Sequence, residues 1–374
     1  MRGKFTILAS MLAITFSSIQ KIYAAPDPNF HIYLGFGQSN MEGNAEIESQ
    51  DRVVDSRFQM LSTANCSNRK LGQWYDATAP LAHCNGGVSP VDNFGRTLIK
   101  KLPSNIRVGV VVVAVGGCDI QLFEKDRYKS YVMPDWMVPT VNNMYNGNPY
   151  GRLVDMAKIA QQSGVIKGIL LHQGETNNGQ QDWPRRVKAI YEGLLSELNL
   201  KAEDVPLIVG ETVQTEEGGN CGLMNSVIAT LPSVIPTSHV VSSKGLKQRG
   251  DGYHFTHSAY YTFGERYAEV MYNLLDLSEN NGGDDNCWSE ALGYKCCSEC
   301  KAPEYTDNDG DWAVENGDWC GLQEICKSQS NITVCKGAQG YPCCKKECTS
   351  YYEDNDGKWS VENDDWCLID RSIC

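Results

Sequence analysis

The C-terminal quarter of the chain repeats one cysteine-rich unit, and this duplication constrains the fold more than any other feature. Residues 287–326 and 335–374 align at an offset of 47 or 48 residues and share six cysteines, Asp-Asn-Asp-Gly, Val-Glu-Asn and Asp-Trp-Cys. A unit of about 40 residues cannot bury a large core, so cross-links must hold it rigid. The sequence therefore predicts two small disulfide-rich modules, and six cysteines in each leave fifteen pairings open.

The cysteine content and the N-terminus both indicate export. The chain has 16 cysteines, an even number that leaves none over if all of them pair in an oxidising compartment. Arg2 and Lys4 precede the apolar run FTILASMLAITF, and small residues follow at Ala24 and Ala25. This order is typical of a secretory signal peptide, here residues 1–25, and not of a membrane anchor. The mature protein is expected to be secreted and extracellular, without a membrane partner.

Acidic residues are concentrated in the repeats. Residues 284–374 carry 19 Asp or Glu against eight Lys or Arg, a net charge of −11 within a chain total of −13. An acidic exported protein has no electrostatic attraction for nucleic acid or anionic lipid, so neither is an expected partner. The polar stretch SENNGGDDN, residues 278–286, shows no apolar periodicity and is predicted to link the repeats to a larger N-terminal domain.

Short apolar runs alternate with amphipathic stretches before this linker. Runs rich in Val, Ile and Leu predict strands that are buried on both faces at residues 31–37, 107–117, 166–174, 206–212 and 238–244. Helical patterns begin at Val91, Arg152, Arg185 and Ala259. The alternation predicts an α/β fold over residues 28–277, a three-layer α/β/α sandwich with a parallel sheet of about five strands. Ligands of such folds bind at the carboxyl ends of the strands.

A candidate nucleophile lies where the first predicted strand ends. The motif GFGQSNMEG at 35–43 places Ser39 in a glycine-rich turn, where a lone serine is more often a turn residue than a nucleophile. A catalytic serine needs a base, a carboxylate that orients the base, and donors for the oxyanion. His254 follows the last predicted strand, and Asp251 precedes it by three residues, a spacing that lets both reach one hydroxyl. His257, without an acidic residue at the equivalent position, is the second candidate for the base.

The order of four motifs resembles carbohydrate esterase family 6, whose members are SGNH-type hydrolases. The motifs are GQSNMEG at 37–43, AVGG at 114–117, HQGETN at 172–177 and DGYHF at 251–255. The family includes acetylxylan esterases and sialic acid acetylesterases. The resemblance implies acyl-ester hydrolysis, with Ser39 as nucleophile, His254 as base and Asp251 as the residue that orients it. The G-x-S-x-G motif of α/β-hydrolases is absent.

Several residues are candidates for the oxyanion hole. The backbone N–H groups of Ser39 and Gly117 are expected to donate, because Gly116 and Gly117 allow a close approach and unusual dihedrals. The side-chain amide of Gln173 is a further candidate, since an asparagine has this role in many SGNH enzymes. The alternative is that the two glycines form an ordinary turn at the strand end and that Gln173 only satisfies backbone groups.

Glu175 is a second carboxylate near the predicted site. It can support His254 in place of Asp251 or beside it, and the family pattern leaves both arrangements open. His172, in the same loop, is expected to orient loop backbone. The sequence contains no H-E-x-x-H spacing, so we expect no metal and no cofactor.

The repeats lack histidine and any obvious nucleophile, so binding is a more plausible role for them than catalysis. Their aromatic residues suit either a sugar face or a protein surface. Trp319 and Trp366, next to Cys320 and Cys367, are expected in the miniature cores. An EF-hand loop needs Gly at its sixth position and Glu at its twelfth, so Asp-Asn-Asp-Gly predicts a turn and not a calcium site.

The repeat resembles the cysteine-rich dockerin modules of anaerobic fungi, which are related to a small cellulose-binding module. The match includes GYKCC at 293–297 and W-x-V-E-N-x-D-W-C, although Lys336 replaces Trp288 in the second copy. The resemblance implies that the modules dock the enzyme onto a multi-enzyme scaffold protein. The contact set implied in this way is Tyr294, Asp307, Trp312, Tyr341, Asp354 and Trp359.

These patterns together predict a secreted serine esterase that removes acetyl groups from plant cell-wall polysaccharide, with acetylxylan as the expected substrate. The alternatives are a sialate or other glycan O-acetylesterase, and an inert hydrolase fold that only binds carbohydrate. Asn65 and Asn331 begin glycosylation sequons.

Overall fold

The computed structural model describes one long stretch of chain and several short ones. These are residues 25–275, 288–289, 292–297, 301, 303–307, 309–315, 317–322, 343–344, 349–354, 357–362 and 365–369. The predicted signal peptide apart from Ala25, the predicted linker, Tyr341 and Asn331 lie outside the described residues. The chain divides into two compact units, Met1–Leu277 and Ser278–Cys374, and each is described by itself.

A seven-stranded sheet is the middle layer of the first unit. Its strands are β1 (Asp27–Gly37), β2 (Phe58–Leu61), β3 (Trp74–Asp76), β4 (Arg107–Ala114), β5 (Gly164–His172), β6 (Leu207–Gly210) and β7 (Ser238–Val241). Their spatial order is β3-β2-β4-β1-β5-β6-β7, and all neighbours are parallel except β3, which runs antiparallel to β2. Five strands match the predicted runs. The prediction missed β2 and β3, because short strands near a sheet edge lack a long apolar run.

Helices cover both faces of this sheet. In the described part of the chain they are α1 (Ser39–Glu42), α2 (Pro90–Lys101), α3 (Val138–Tyr145), α4 (Pro149–Ala160), α5 (Trp183–Leu198), α6 (Met224–Ile228), α7 (Leu231–Val234) and α8 (His257–Leu274). Helices α2, α4, α5 and α8 correspond to the four predicted helices. Ser89 caps α2 by accepting from the Val91 N–H, and Pro90 occupies the first helical position.

Two hydrophobic cores confirm the three-layer α/β/α architecture. Ile32 and Leu34 of β1 pack in the core that contains α4 and α5. Tyr33, between them in sequence, packs in the core on the other face with α2 and α8. Successive side chains of a strand point to opposite faces, so one continuous apolar run serves both layers.

Three strand ends meet at the middle of the sheet. Gly37, the last residue of β1, pairs with Ala114 of β4 on one side and with His172 of β5 on the other. In an open α/β sheet, loops that leave adjacent strands toward different sides form a crevice at their carboxyl ends. The segments after β1, β4 and β5 carry three of the four motifs, and they therefore meet in space.

The second unit contains two small sheets. The first repeat forms β8 (Lys295–Cys296), β9 (Tyr305–Thr306), β10 (Asp311–Glu315) and β11 (Asp318–Gly321), and the second forms β12 (Tyr352–Asp354), β13 (Gly357–Glu362) and β14 (Asp365–Leu368). Disulfides join Cys297 to Cys320 and, at the equivalent positions, Cys344 to Cys367. The prediction of small disulfide-bonded modules is confirmed, and cross-links compensate for the small cores.

The expectation that every cysteine pairs is wrong for two residues. Cys66 and Cys84 form a disulfide in the first unit, whereas Cys118 and Cys221 are free and buried. The Cys118 thiol points at the Gly37 carbonyl oxygen, 3.8 Å away. Burial raises the pKa of the Cys221 thiol to about 11 and raises that of Cys118 well above its usual range. Both thiols are therefore protonated and unreactive near neutral pH.

No helix in the described part of the chain combines the length and the apolarity that a bilayer span requires.

Candidate active site

The side chains of Ser39, His254 and Asp251 are linked by hydrogen bonds at the carboxyl edge of the sheet. Ser39 Oγ lies 2.8 Å from His254 Nε2, and His254 Nδ1 lies 2.7 Å from Asp251 Oδ2. Ser39 begins α1 directly after β1, and the other two residues lie in the loop between β7 and α8. Folding thus joins residues that are 215 positions apart in the chain. In this arrangement His254 can take the hydroxyl proton while Asp251 holds the imidazole ring.

Asp251 is held by hydrogen bonds on both of its oxygens. Its Oδ1 accepts from the backbone N–H groups of Tyr253 and His254, each at 2.9 Å, and its Oδ2 also accepts from Arg249 Nε at 2.8 Å. Partial burial by itself would raise the pKa of the Asp251 carboxyl. The bonds from His254, the two backbone groups and Arg249 outweigh burial and hold the pKa well below its usual range. The carboxylate therefore stays ionised and accepts from the His254 ring.

His257, the second candidate for the base, and His172 make their hydrogen bonds to other residues. His257 Nε2 lies 2.9 Å from Asp51 Oδ2, so this ring forms a hydrogen bond with Asp51 and not with Ser39. His172 is completely buried, and its Nε2 donates to the Glu211 carbonyl oxygen at 3.0 Å. This contact agrees with the predicted role in orienting loop backbone. Burial lowers the pKa of His172, which keeps its ring neutral.

Glu175 contacts Asn40 and His172, and Asp251 is the carboxylate at His254. Glu175 Oε1 accepts from Asn40 Nδ2 at 2.5 Å and lies 3.8 Å from His172 Nδ1. Glu175 therefore supports His254 neither in place of Asp251 nor beside it, and of the two carboxylates Asp251 alone holds the ring. Glu175 is buried beside the site and stabilises it through Asn40.

Asn40 is a site residue that the sequence analysis missed. Its Nδ2 also donates to the Tyr253 carbonyl oxygen at 3.0 Å, and its Oδ1 accepts from the Tyr260 hydroxyl at 2.6 Å. Asn40 follows Ser39, and Tyr253 precedes His254, so one buried amide joins the turn of the serine to the loop of the histidine. The sequence signal for it was an asparagine just after a strand that is predicted to be buried. An asparagine in such a place needs hydrogen-bond partners, because it is rarely buried without them.

Gly117 adopts a backbone conformation at the cleft that favours glycine. Its φ of +68° lies in the left-handed region, and a Cβ on it would come within 2.6 Å of the Trp136 ring. The Thr176 hydroxyl donates to the Gly117 carbonyl oxygen at 3.0 Å, which fixes this peptide. Gly116 and Gly117 both line the cleft next to Ser39. The Gly117 N–H stays a predicted donor.

The predicted oxyanion role of the Gln173 side chain is contradicted. Its Nε2 donates to Gln38 Oε1 at 3.0 Å, to the Cys118 carbonyl oxygen at 3.1 Å and to Asn177 Oδ1 at 2.6 Å. Its Oε1 accepts from Trp183 Nε1 at 2.5 Å. The side chain is completely buried, and these partners use its hydrogen-bonding groups away from the cleft. Gln173 stabilises the loop after β5 mainly through side chains, and the Cys118 carbonyl is the one backbone group among these partners, so the alternative that it only satisfies backbone groups holds in part.

An open cleft of about 450 Å³ surrounds Ser39, within the size range of small-molecule sites. Its lining residues are Gln38, Ser39, Glu42, Asn44, Gly116, Gly117, Trp136, Glu175, Thr176, Tyr253 and His254. Trp136 and Tyr253 are 64% and 42% exposed, so large aromatic surfaces remain accessible to a ligand. Aromatic walls with a few polar groups suit the apolar face and the hydroxyl edge of a sugar ring.

The family model of carbohydrate esterases described as sialic acid-specific acetylesterases matches residues 29–273. That stretch is more than half of the chain and contains all four motifs. The chain belongs to this family. Its first unit is a carbohydrate acetylesterase and thus a carboxylic ester hydrolase.

A solved structure supports the fold of this carbohydrate esterase unit. A protein from Arabidopsis thaliana superimposes with a TM-score of 0.52 at 20% sequence identity, covering 66% of this chain and 99% of that one. At this identity the likeness concerns the fold alone.

The repeats of the esterase match a family described as a cellulose or protein binding domain, at residues 286–322 and 333–369. Endoglucanase B of Neocallimastix patriciarum is 53% identical over 49 residues, 13% of this chain, and feruloyl esterase B of Piromyces equi is 45% identical over 58 residues, 15% of this chain. The chain spans 10% and 11% of the lengths of these two relatives. A double dockerin from Piromyces equi is 40% identical, with a TM-score of 0.12, and covers 23% of this chain and 88% of that one. The repeats are dockerin-like modules.

The structure revises which tryptophans of the esterase's modules are accessible for contact. Trp312 and Trp359, both in the predicted contact set, are 7% and 4% exposed. Their indole N–H groups donate to Asp307 Oδ2 at 3.0 Å and to Asp354 Oδ1 at 2.8 Å. These pairs close the Asp-Gly turns and form part of the module cores, so the two indoles are not free to contact a partner. Of the remaining set, Tyr294 is exposed.

Trp319 and Trp366 are exposed, contrary to the expectation that they lie in the cores. Their exposed fractions are 44% and 40%, while the following residues, Cys320 and Cys367, are buried. Neighbours in a strand point to opposite faces, so a cysteine fixed inward by its disulfide turns the preceding tryptophan outward. The rings of Trp319 and Tyr305 lie 6.5 Å apart at this surface, and Tyr352 is exposed at the position equivalent to Tyr305.

Proposed function

We propose that this carbohydrate esterase removes acetyl groups from plant cell-wall polysaccharide, with acetylxylan as substrate, and that Ser39, His254 and Asp251 are its catalytic residues. The observation that carries the catalytic assignment is the pair of contacts at 2.8 and 2.7 Å through the two ring nitrogens of His254. The motif order and the family membership support the same assignment.

The reaction follows from this geometry in two stages. Ser39 Oγ attacks the acetyl carbonyl carbon while His254 Nε2 accepts the hydroxyl proton, and the N–H groups of Ser39 and Gly117 receive the oxyanion. The carbon–oxygen bond to the sugar then breaks, and His254 donates its proton to the departing sugar oxygen. Water attacks the acetyl-Ser39 ester, its proton passes to His254, and acetate leaves with Ser39 restored.

The polysaccharide assignment is supported by the relatives of the modules. Their names describe an endoglucanase and a feruloyl esterase, and other matches are mannosidases and xylanases. We propose that the present enzyme belongs to the same set of wall-degrading activities. It is secreted after loss of residues 1–25, and the linker at 278–286 separates the esterase at 28–277 from modules at 287–326 and 335–374.

The name of the matched family makes a sialate O-acetylesterase the second candidate. Acetate release from acetylxylan and from O-acetylated sialic acid distinguishes the two directly. A preference for acetylxylan supports our proposal, and a preference for the sialate would replace the substrate while leaving the catalytic residues in place.

Substitution of the catalytic serine and histidine tests the mechanism. We expect Ser39→Ala and His254→Ala each to lower kcat by about 10⁴-fold or more, because each removes a group that takes part in bond making. His257→Ala is the matched control, since His257 contacts Asp51 and lies outside the triad. A Ser39→Ala variant that hydrolyses acetyl esters at the original rate would show that the fold is inert as a serine esterase.

We propose that the modules bind a scaffold protein through exposed aromatic faces that contain Trp319 and Trp366. Flat aromatic side chains on a small rigid module are typical anchors of protein interfaces. Retention of the full chain on cellulose, without affinity for purified scaffold protein, would overturn this assignment in favour of cellulose binding.

A further inference from the structure

Glu42 is a carboxylate of the cleft that the catalytic triad does not use. It ends α1, three residues after Ser39, and its Oε1 lies 2.5 Å from His83 Nε2. A Cβ placed on Gly116 would lie 2.8 Å from Glu42 Oε2 and 3.7 Å from Ser39 Cβ. The carboxylate oxygen and the nucleophile's side chain thus flank the same glycine of the cleft wall.

His83 orients the carboxylate of Glu42. His83 is buried, and its Nδ1 accepts from the backbone N–H of Asn85 at 3.2 Å. With Nδ1 accepting, Nε2 is the ring nitrogen that donates to Glu42 Oε1. The imidazole thus orients the carboxylate, and Glu42 lines the cleft next to Ser39.

Glu175 adds a second carboxylate to the same cleft. Its side chain is 5% exposed, and Oε2 has no hydrogen-bond partner among the described residues. None of the described residues that line the cleft is Lys or Arg. Arg249 approaches the rim, but its guanidinium binds Asp251 and the Asn44 carbonyl oxygen. The described lining of the cleft therefore contains carboxyl groups and aromatic side chains but no Lys or Arg.

We propose that Glu42 determines substrate specificity: it accepts a hydroxyl of the sugar next to the acetyl ester, and with Glu175 it excludes sugars that carry a carboxylate. This inference rests on the proposed acetylesterase function and narrows its substrate class to neutral acetylated sugars.

The chemistry of the two substrate classes gives the reason. A neutral sugar offers hydroxyl donors, and a hydroxyl that donates to a carboxylate forms a charge-assisted hydrogen bond. A sugar acid would bring its own carboxylate against Glu42 and Glu175, and like charges in a partly buried site repel strongly. Trp136 can stack on the ring of either sugar, so the difference that Glu42 and Glu175 detect is the charge.

The test compares three substrates on the full chain and on Glu42→Gln. The substrates are an acetylated xylooligosaccharide, an O-acetylated sialic acid, and an aryl acetate without sugar hydroxyls, and kcat/KM is measured for each. We expect the unsubstituted enzyme to prefer the neutral sugar to the anionic one. Glu42→Gln should lower the ratio of kcat/KM for the xylooligosaccharide to kcat/KM for the aryl acetate by about 10-fold or more, because a hydrogen bond to a charged group is lost. The same variant should also raise the ratio of kcat/KM for the O-acetylated sialic acid to kcat/KM for the xylooligosaccharide.

Glu46→Gln is the matched control. Glu46 is exposed four residues after Glu42 and does not line the cleft, so the same change of charge there should leave both ratios as they are.

The dependence of kcat/KM on salt gives a second measurement that needs no variant. Added salt screens exposed repulsion, so kcat/KM for the anionic substrate should rise with ionic strength while that for the neutral sugar stays level.

The outcomes separate this inference from the proposed function. Acetate release from neither glycan would overturn the proposed function, and the inference with it. Release from the neutral sugar with unchanged ratios in Glu42→Gln, or with equal losses on all three substrates, would overturn the specificity role alone. A sialic acid rate equal to that of the neutral sugar and insensitive to salt would also overturn it, even if Glu42→Gln did not fold.

Discussion

Asn40 shows how one buried amide sets the distance between a nucleophile and its base. It holds Glu175 and the Tyr253 carbonyl oxygen through Nδ2 and accepts from Tyr260 through Oδ1. The residue touches no reacting atom in the proposed mechanism, so its role is positioning. A misplacement of about 1 Å at a catalytic group can cost about 10²-fold in rate.

We predict that Asn40→Ala lowers kcat by about 10–100-fold and changes KM much less, because the loop of His254 loses its tie to Ser39. Steady-state kinetics on an aryl acetate and on acetylxylan measure the two parameters separately. Asn40→Asp, which keeps the shape but loses the Nδ2 donors, should fail to restore kcat. An active Asn40→Asp enzyme would mean that side-chain volume, and not the hydrogen bonds, supports the site.

His31 links the stability of the first unit to pH. It is completely buried in β1, and burial, with a contribution from the charge of Lys167, lowers its pKa to about 4 despite the opposing effect of Asp27. The folded pKa lies below the unfolded value of about 6.5, so the unfolded state binds more protons between these two values. This contribution to stability is present above the unfolded pKa and is lost as the pH falls toward the folded one.

We predict that His31→Gln reduces the loss of unfolding free energy between about pH 7 and about pH 4 by up to about 3 kcal/mol. Denaturant unfolding at several pH values measures the difference. His239→Gln is a control at a half-buried histidine, whose pKa burial also lowers, and it should have a smaller effect. Equal slopes for the His31 variant and the parent would contradict the linkage.

At the scale of elements, the end of β1 depends on one glycine. Gly37 has a φ of +152°, and a Cβ on it would lie 2.0 Å from the His172 carbonyl oxygen of β5. Backbone atoms cannot move away as a flexible side chain can, so any larger residue would push β1 and β5 apart. The turn that presents Ser39 begins at this point.

We predict that Gly37→Ala lowers the free energy of unfolding by at least about 3 kcal/mol, and that it lowers kcat as well. Gly179→Ala is the matched control. Gly179 also has a positive φ, 77°, but a Cβ added there would have no heavy atom of the described residues within 4 Å. The control should lose only about 1–2 kcal/mol from backbone strain. Thermal unfolding and acetate release measure both effects, and similar losses in the two variants would show that the close approach to His172 is unimportant.

At the scale of the whole molecule, the two modules each expose a tryptophan. Trp319 and Trp366 occupy equivalent exposed positions, and a partner with two sites would bind both modules at a high effective concentration. Because catalysis is assigned to the first unit, changes at these tryptophans should separate binding from activity.

We predict that Trp319→Ala and Trp366→Ala each weaken binding to purified scaffold protein, and that the double variant loses about 10²-fold through lost avidity. Acetate release from a soluble substrate should not change. Binding isotherms of the full chain and of the three variants measure the effect. Trp312→Phe is the informative comparison, since Trp312 is buried and its change should act on module stability. A larger binding loss there, with the module still folded, would contradict the assignment of the exposed face.

Features that depend on residues close to one another in the sequence could be predicted from the sequence alone. The apolar runs and helical patterns indicated five strands and four helices of the α/β/α unit, because burial on both faces of a strand requires a continuous apolar stretch. The duplication indicated two cross-linked modules, and the spacing of Asp251 and His254 indicated their contact, since residues three apart meet within one turn of chain.

Only the three-dimensional structure shows which way side chains point where distant segments pack together. Folding brings Ser39 to His254 across 215 positions and places Asp251, not Glu175, at the imidazole. It also directs the Gln173 amide into the interior and exposes Trp319. A side-chain direction depends on its rotamer and on partners from remote strands and loops, whereas a sequence pattern records only how polar and apolar residues alternate along one segment.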